Sequence, residues 1–155
     1  MEGRQGNMNE KREPIVVTEG KSIHELRIGD TADTSQTITE KVIRDFAEAT
    51  GDFNPLHLDQ AYAERTIFKG RIAHGALSIG ILSKVCTSFL GPGAIALSQE
   101  LRFLAPARLG DTITARVEVI EVIPGKNRVK LRTTCMNQKG EIVVDGTAWG
   151  MPPRK

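Results

Sequence analysis

The sequence predicts an α+β domain: a curved antiparallel sheet wrapped around one long central helix. Two observations predict it. Residues 75–90 carry apolar side chains on nearly every side at helical spacing, and a helix apolar all round must be buried. After Gly91-Pro92-Gly93 the apolar period falls to two, and the alternating segments that follow supply the surface to bury that helix.

Residues 1–20 are expected to form a flexible arm and residues 21–155 a single domain. Met1 to Pro14 is polar and lacks the apolar stretch of a signal peptide. A short strand is expected over Ser35 to Ile38. Thr39 then suits an N-cap for a helix to about Thr50, with Val42, Ile43, Phe46, Ala47 and Ala49 as its apolar stripe. Gly51 ends it. Asp59 caps a short helical turn through Glu64, and residues 65–72 read as irregular.

The sheet follows. Ile95, Leu97, Leu101 and Phe103 alternate, interrupted by Gln99. Ile113, Ala115, Val117 and Val119 alternate with polar neighbours, as do Val129, Leu131, Thr133 and Cys135. Ile142, Val144, Gly146 and Ala148 complete the set. Pro124-Gly125-Lys126 and Gln138-Lys139-Gly140 are the hairpin turns between the last three strands.

Bulk properties narrow the function. A chain of 155 residues suits one domain with a real core, and 39% hydrophobic with 26% charged residues is ordinary for a soluble protein. A net charge of +2 gives no reason to expect nucleic acid. No run of 18 apolar residues suggests a membrane span. Cys86 and Cys135 sit in apolar patterns, so free buried thiols and a reducing cytoplasm are expected. Three histidines without a Cys/His cluster give no metal site, and no cofactor is expected.

The chemistry is concentrated in Asp52-Phe53-Asn54-Pro55-Leu56-His57. Asn54 is pushed toward extended geometry by the following proline, and Pro55 fixes its own φ. A stiff loop is expected, holding Asp52 and His57 in a set relation. A carboxylate and an imidazole that reach one water make an acid–base pair. The plainer alternative is that Asp52 caps a helix and His57 packs. His74 reads as a structural hydrogen-bonder at the helix start. Arg65, Lys69 and Arg71 read as a mild basic cluster, suited either to CoA phosphates or to a solvated loop.

The segment Gly51 to Asp59 resembles the hydratase 2 motif of MaoC-like (R)-specific enoyl-CoA hydratases. Arg71-Ile72-Ala73-His74-Gly75-Ala76-Leu77 resembles that family's second landmark, and Gln99 to Pro106 with Gly110-Asp111 its strand and turn. The resemblance runs from about Ile28 to Trp149 and leaves the arm outside the family pattern. It implies a hot-dog fold, a homodimer, and hydration of trans-2-enoyl-CoA to (R)-3-hydroxyacyl-CoA. It further implies that Asp52 and His57 are the catalytic pair and that Asn54 holds the water. Gly75 becomes the backbone donor to the thioester carbonyl, and Ser83 and Cys86 line the acyl pocket. Phe53, inside the first motif, is taken as a substrate contact.

The reaction suits these residues. Hydration needs a base for water, a donor for charge on the thioester oxygen, and a proton for the α carbon. Burial of Asp52 against Phe53, Leu56 and Leu58 would make it a better base, and His57 exchanges protons near neutrality. The division of labour between the two stays open, as does the acyl chain, for which short to medium length is expected. Ser83 is no nucleophile: it lies about 12 Å along the helix from Gly75 and lacks a G-x-S-x-G turn. Alternatives are a hot-dog thioesterase, a 3-hydroxyacyl-acyl carrier protein dehydratase, and a non-catalytic acyl-CoA-binding subunit.

Overall fold

The structure, a computed structural model, describes residues 20–154. The arm expected over residues 1–20 lies outside the described residues except for Gly20, which is buried beside Gly91.

Nine elements follow in order: β1 (Thr31–Thr37), α1 (Glu40–Thr50), α2 (Pro55–Leu58), α3 (Gln60–Glu64), α4 (Gly75–Leu90), β2 (Ile95–Phe103), β3 (Thr112–Ile123), β4 (Arg128–Met136) and β5 (Ile142–Met151). Short 3₁₀ turns precede β1 and join β3 to β4. The strands form one antiparallel sheet in the order β1-β3-β4-β5-β2. Bulges at Ala96/Ser98, Val119/Glu121 and Cys135/Met136 bend it.

Each local device does what its residues dictate. The Thr39 hydroxyl accepts from the Val42 N–H, and Gly51 closes α1 at φ 76° with its N–H on the Ala47 carbonyl. Asp59 caps α3 through Tyr62 N–H at 2.9 Å. β1 begins at Thr31, four residues earlier than expected. Its sequence, TADTSQT, is too polar to announce a strand; pairing with β3 creates it, and hydroxyl pairs Ser35–Thr114 and Thr37–Thr112 tie the edges.

α4 lies in the curve of the sheet, packed on β1, β3 and β4. Its Ile81, Leu82, Val85, Phe89 and Leu90 meet inward-facing Ile113, Val117, Val119, Val129 and Leu131. Each such side chain contributes roughly 1.5–3 kcal/mol by leaving water. β5 departs from simple alternation: Ile142 is exposed and Val143 buried. The chain after β2 folds over Val143, with the Leu104 N–H donating to its carbonyl at 2.9 Å. β2 is an edge strand, and its Ile95, Leu97 and Phe103 are exposed.

Candidate active site

Asp52 and His57 are brought together by a helical turn rather than by the stiff loop expected. Asn54 is the N-cap of α2, its Oδ1 accepting from Leu56 N–H at 3.0 Å, and Pro55 occupies the first helical position. Asn-Pro is a helix-start signature as much as a loop signature. Asp52 precedes it, its Oδ1 accepting from Asn54 N–H at 3.2 Å.

His57 is buried. Its Nδ1 faces the Ile72 carbonyl at 2.8 Å. A carbonyl only accepts, so Nδ1 carries the proton and Nε2 keeps its lone pair. Burial, chiefly, holds the imidazole below its ordinary pKa, and nearby His74 pushes the same way; the Ile72 carbonyl and Asp52 oppose. One ligand-type atom from each of Asp52, His57 and His74 lies within 4.8 Å of the others. A cation there would have only the uncommitted nitrogen of each ring, because the other nitrogen serves a backbone carbonyl.

The expected burial of Asp52 does not occur. Asp52, Phe53 and Asn54 are exposed, because α2 turns His57 inward and leaves the segment before it on the surface. Gly75 opens α4, where helix geometry leaves the first N–H groups without an intrahelical partner. The Phe103 ring covers it so closely that a Cβ would lie 2.8 Å from Cε1. Glycine lets the ring lie that close, and any Cβ would push it aside.

His57, His74, Gly75, Ser78 and Phe103 line one cavity of about 390 Å³, walled also by Phe68, Ile72 and Leu104. Ser83 and Cys86 do not reach it. They line a second cavity of about 170 Å³ further along α4, with Ile79, Gln99, Leu131 and Trp149. Phe53 lines neither cavity.

The sequence reading missed two residues. Arg71 is not part of a solvated basic cluster. Its side chain is 13% exposed, with Nη1 on Glu40 Oε2 at 2.8 Å and Nε on the His57 carbonyl at 2.7 Å. Glu40 is held below the usual carboxylate range by that guanidinium, first through the hydrogen bond. Nothing local in the sequence announces this pairing across 31 residues. Gln99 did leave a signal, the polar interruption in β2. Its Nε2 donates to Thr133 Oγ1 at 3.0 Å and to the Thr147 carbonyl at 3.2 Å.

A sheet curved around a buried helix, with an Asp/His pair near that helix's N-terminus, defines an α+β hot-dog domain of the hydratase kind. The chain belongs to the MaoC-like domain family, whose model matches residues 7–140. The match begins earlier than Ile28, so part of the N-terminal arm falls within the family pattern after all. An (R)-specific enoyl-CoA hydratase of Rhodospirillum rubrum is 45% identical over 84% of this chain and 91% of its own. A 3-hydroxybutyryl-CoA dehydratase of Methylorubrum extorquens is 43% identical over 84% and 83%. Among solved structures, the unliganded R-hydratase PhaJ1 of Pseudomonas aeruginosa superposes with a TM-score of 0.83 at 44% identity, covering 88% of each chain.

Proposed function

We propose that this chain is an (R)-specific enoyl-CoA hydratase, a hydro-lyase that adds water reversibly across trans-2-enoyl-CoA to give (R)-3-hydroxyacyl-CoA. The observation that carries the site assignment is the meeting of His57 and Gly75 on one cavity, with the Asp52 carboxylate beside the imidazole.

The enoyl thioester enters that cavity with its carbonyl oxygen at the start of α4. The helix-start amide at Gly75 and the helix dipole stabilise the enolate as charge builds on that oxygen. Water stands between Asp52 and His57. His57 enters as an acceptor, because Nδ1 is committed to Ile72 and its lowered pKa keeps Nε2 free near neutrality. The pair takes a proton from water as oxygen attacks the β carbon, and returns one to the α carbon. Asn54 spends its Oδ1 on the α2 cap, which leaves its amide N–H groups for the water. Ser83 and Cys86 face the acyl tail in the second cavity.

A homodimer is part of the proposal. β2 leaves one edge of the sheet unpaired and exposes Ile95, Leu97 and Phe103, the liability that edge pairing removes. A cytoplasmic location agrees with the free thiols, and among the described residues no helix is long and apolar enough to cross a membrane. A thioesterase reading finds no carboxylate on α4, since Gly75–Leu90 contains neither Asp nor Glu.

The test is loss of crotonyl-CoA absorbance with Asp52→Asn and His57→Ala beside wild type. Both variants are expected to lose most hydration. Undiminished turnover in both would remove the pair, and release of free CoA from a saturated acyl-CoA would revive the thioesterase. Running the assay with the crotonyl group on acyl carrier protein decides the carrier.

A further inference from the structure

We propose that His74 is the positioning residue of this site, gripping the Asp52 carbonyl while stacking on His57, and so setting the distance between carboxylate and imidazole. The inference rests on the Asp52/His57 reading above.

His74 touches all three parts of the site. It is the N-cap of α4, one residue before Gly75. Its Nε2 lies 3.0 Å from the Asp52 carbonyl oxygen. Its ring centroid lies 3.9 Å from that of His57, tilted 35°, and 4.7 Å from that of Phe46, tilted 43°. It is 2% exposed. The ring is therefore clamped between α1 and α2 while its edge holds the segment that carries Asp52.

The polar atoms say why an imidazole stands there. The Asp52 carbonyl can only accept, so Nε2 carries the proton and donates. The side chain makes no capping bond to α4. Nδ1 is buried without a partner. A phenyl ring would fill the same slot between Phe46 and His57 and would bury no unpaired nitrogen. What histidine adds over phenylalanine is the Nε2–H bond to Asp52. A buried lone pair is tolerated for the sake of that one donor.

The same contact has an electrostatic side. His57 is faced by Asp52 from the segment before α2, by His74 from the head of α4, and by Arg71 at its carbonyl, with Glu40 of α1 behind Arg71. His74 is among the influences that lower the His57 pKa.

The test compares His74→Phe, which keeps the ring and loses the donor, with His74→Gln, which keeps a donor and loses the ring. Hydration of crotonyl-CoA is followed across the neutral pH range. His74→Phe is expected to lower kcat about 100-fold, the cost of misplacing a reacting group by about 1 Å, with KM little changed. His74→Gln should recover part of kcat. Wild-type kcat in His74→Phe would overturn the proposal. So would a loss that tracks only the folded fraction, with no recovery in His74→Gln, since that marks a purely structural residue. Where neither variant folds, the nitrogen-15 imidazole spectrum of the wild type decides: a proton on His74 Nδ1 with Nε2 bare would sink the idea. Asp52→Asn and His57→Ala run alongside, and full activity in both defeats the acid–base reading independently of His74.

Discussion

Gly75→Ala separates the proposed backbone donor from mere helix packing. The added Cβ would lie 2.8 Å from Phe103 Cε1, 3.0 Å from Cζ and 3.2 Å from Cδ1. Phe103 is 58% exposed, so its ring can swing outward into solvent at small cost. Alanine is also the better helix former, by up to about 1 kcal/mol. Thermal stability should therefore change little. Activity should not follow stability: alanine keeps the N–H, but its methyl at the helix start holds the enolate oxygen off that donor as charge builds, a contact that ground-state binding needs less. A donor kept out of reach costs as much as one removed, roughly 2.7–4 kcal/mol, which is about two to three decades in rate. The assay is crotonyl-CoA hydration beside the inhibition constant of butyryl-CoA, which cannot form the charged intermediate. We expect kcat/KM to fall about 100- to 1,000-fold while butyryl-CoA binding weakens far less. Hydration close to wild type would refute the donor assignment. An equal loss in both measurements would refute it too, since the methyl would then be blocking entry.

Three further outcomes follow from the surroundings of individual groups. His57 has a folded pKa below its unfolded value of about 6.5, so the unfolded chain binds its proton first. Its contribution to stability is complete above about pH 6.5 and is lost as pH falls toward the folded pKa; His57→Gln should flatten that slope in urea melts. Arg71→Ala strips the Glu40 carboxylate and the His57 carbonyl of a mostly buried partner. We expect a loss of about 2 kcal/mol and a fall of about 4–8 °C in Tm, with an unchanged Tm counting against the bridge. Cys86 and Cys135 have thiols pushed up to about 11 and about 12 by burial. Both should react with iodoacetamide far more slowly than glutathione at mildly alkaline pH, and rapid labelling of either would contradict the packing.

The fold was legible where a pattern repeats. The all-round apolar α4 and the period-two runs of β3 and β4 declare their positions, and Thr39 and Gly51 mark the ends of α1. β1 was half hidden, since its ladder depends on a partner some 80 residues away rather than on its own side chains. In the site, Asn54 and Pro55 were read for the restriction they place on the chain, and their helix-start role was lost. That cost the correct environment of Asp52, which stays exposed while His57 turns inward. Arg71 could not be found at all by local reading. Its meaning comes from Glu40 and from a carbonyl on another element, neither of which leaves a mark near Arg71 in the chain.

On the proposed function, the separation of the two cavities sorts the remaining site residues by the part of the substrate they would serve. Gly75, Ile79, Ser83 and Cys86 recur at steps of four, four and three, so they share one stripe of α4. β2 runs back along this stripe, with Phe103 against Gly75 and Gln99 beside Ser83 on the second cavity. Gly75 and Ser83 are about 12 Å apart along the axis, so no single atom of a substrate meets both. The reacting carbons would then lie at the Gly75 end, where the dipole and His57 are. Gln99 lines the Ser83 end, its Nε2 donating to Thr133 Oγ1 and to the Thr147 carbonyl. Thr133 is fully buried, so moving that amide aside would cost the hydrogen bonds that hold it. On the proposed function, the polar interruption in β2 that spoils its alternation is expected to limit the tail, and a Gln99→Ala variant should then accept longer enoyl-CoA chains than wild type.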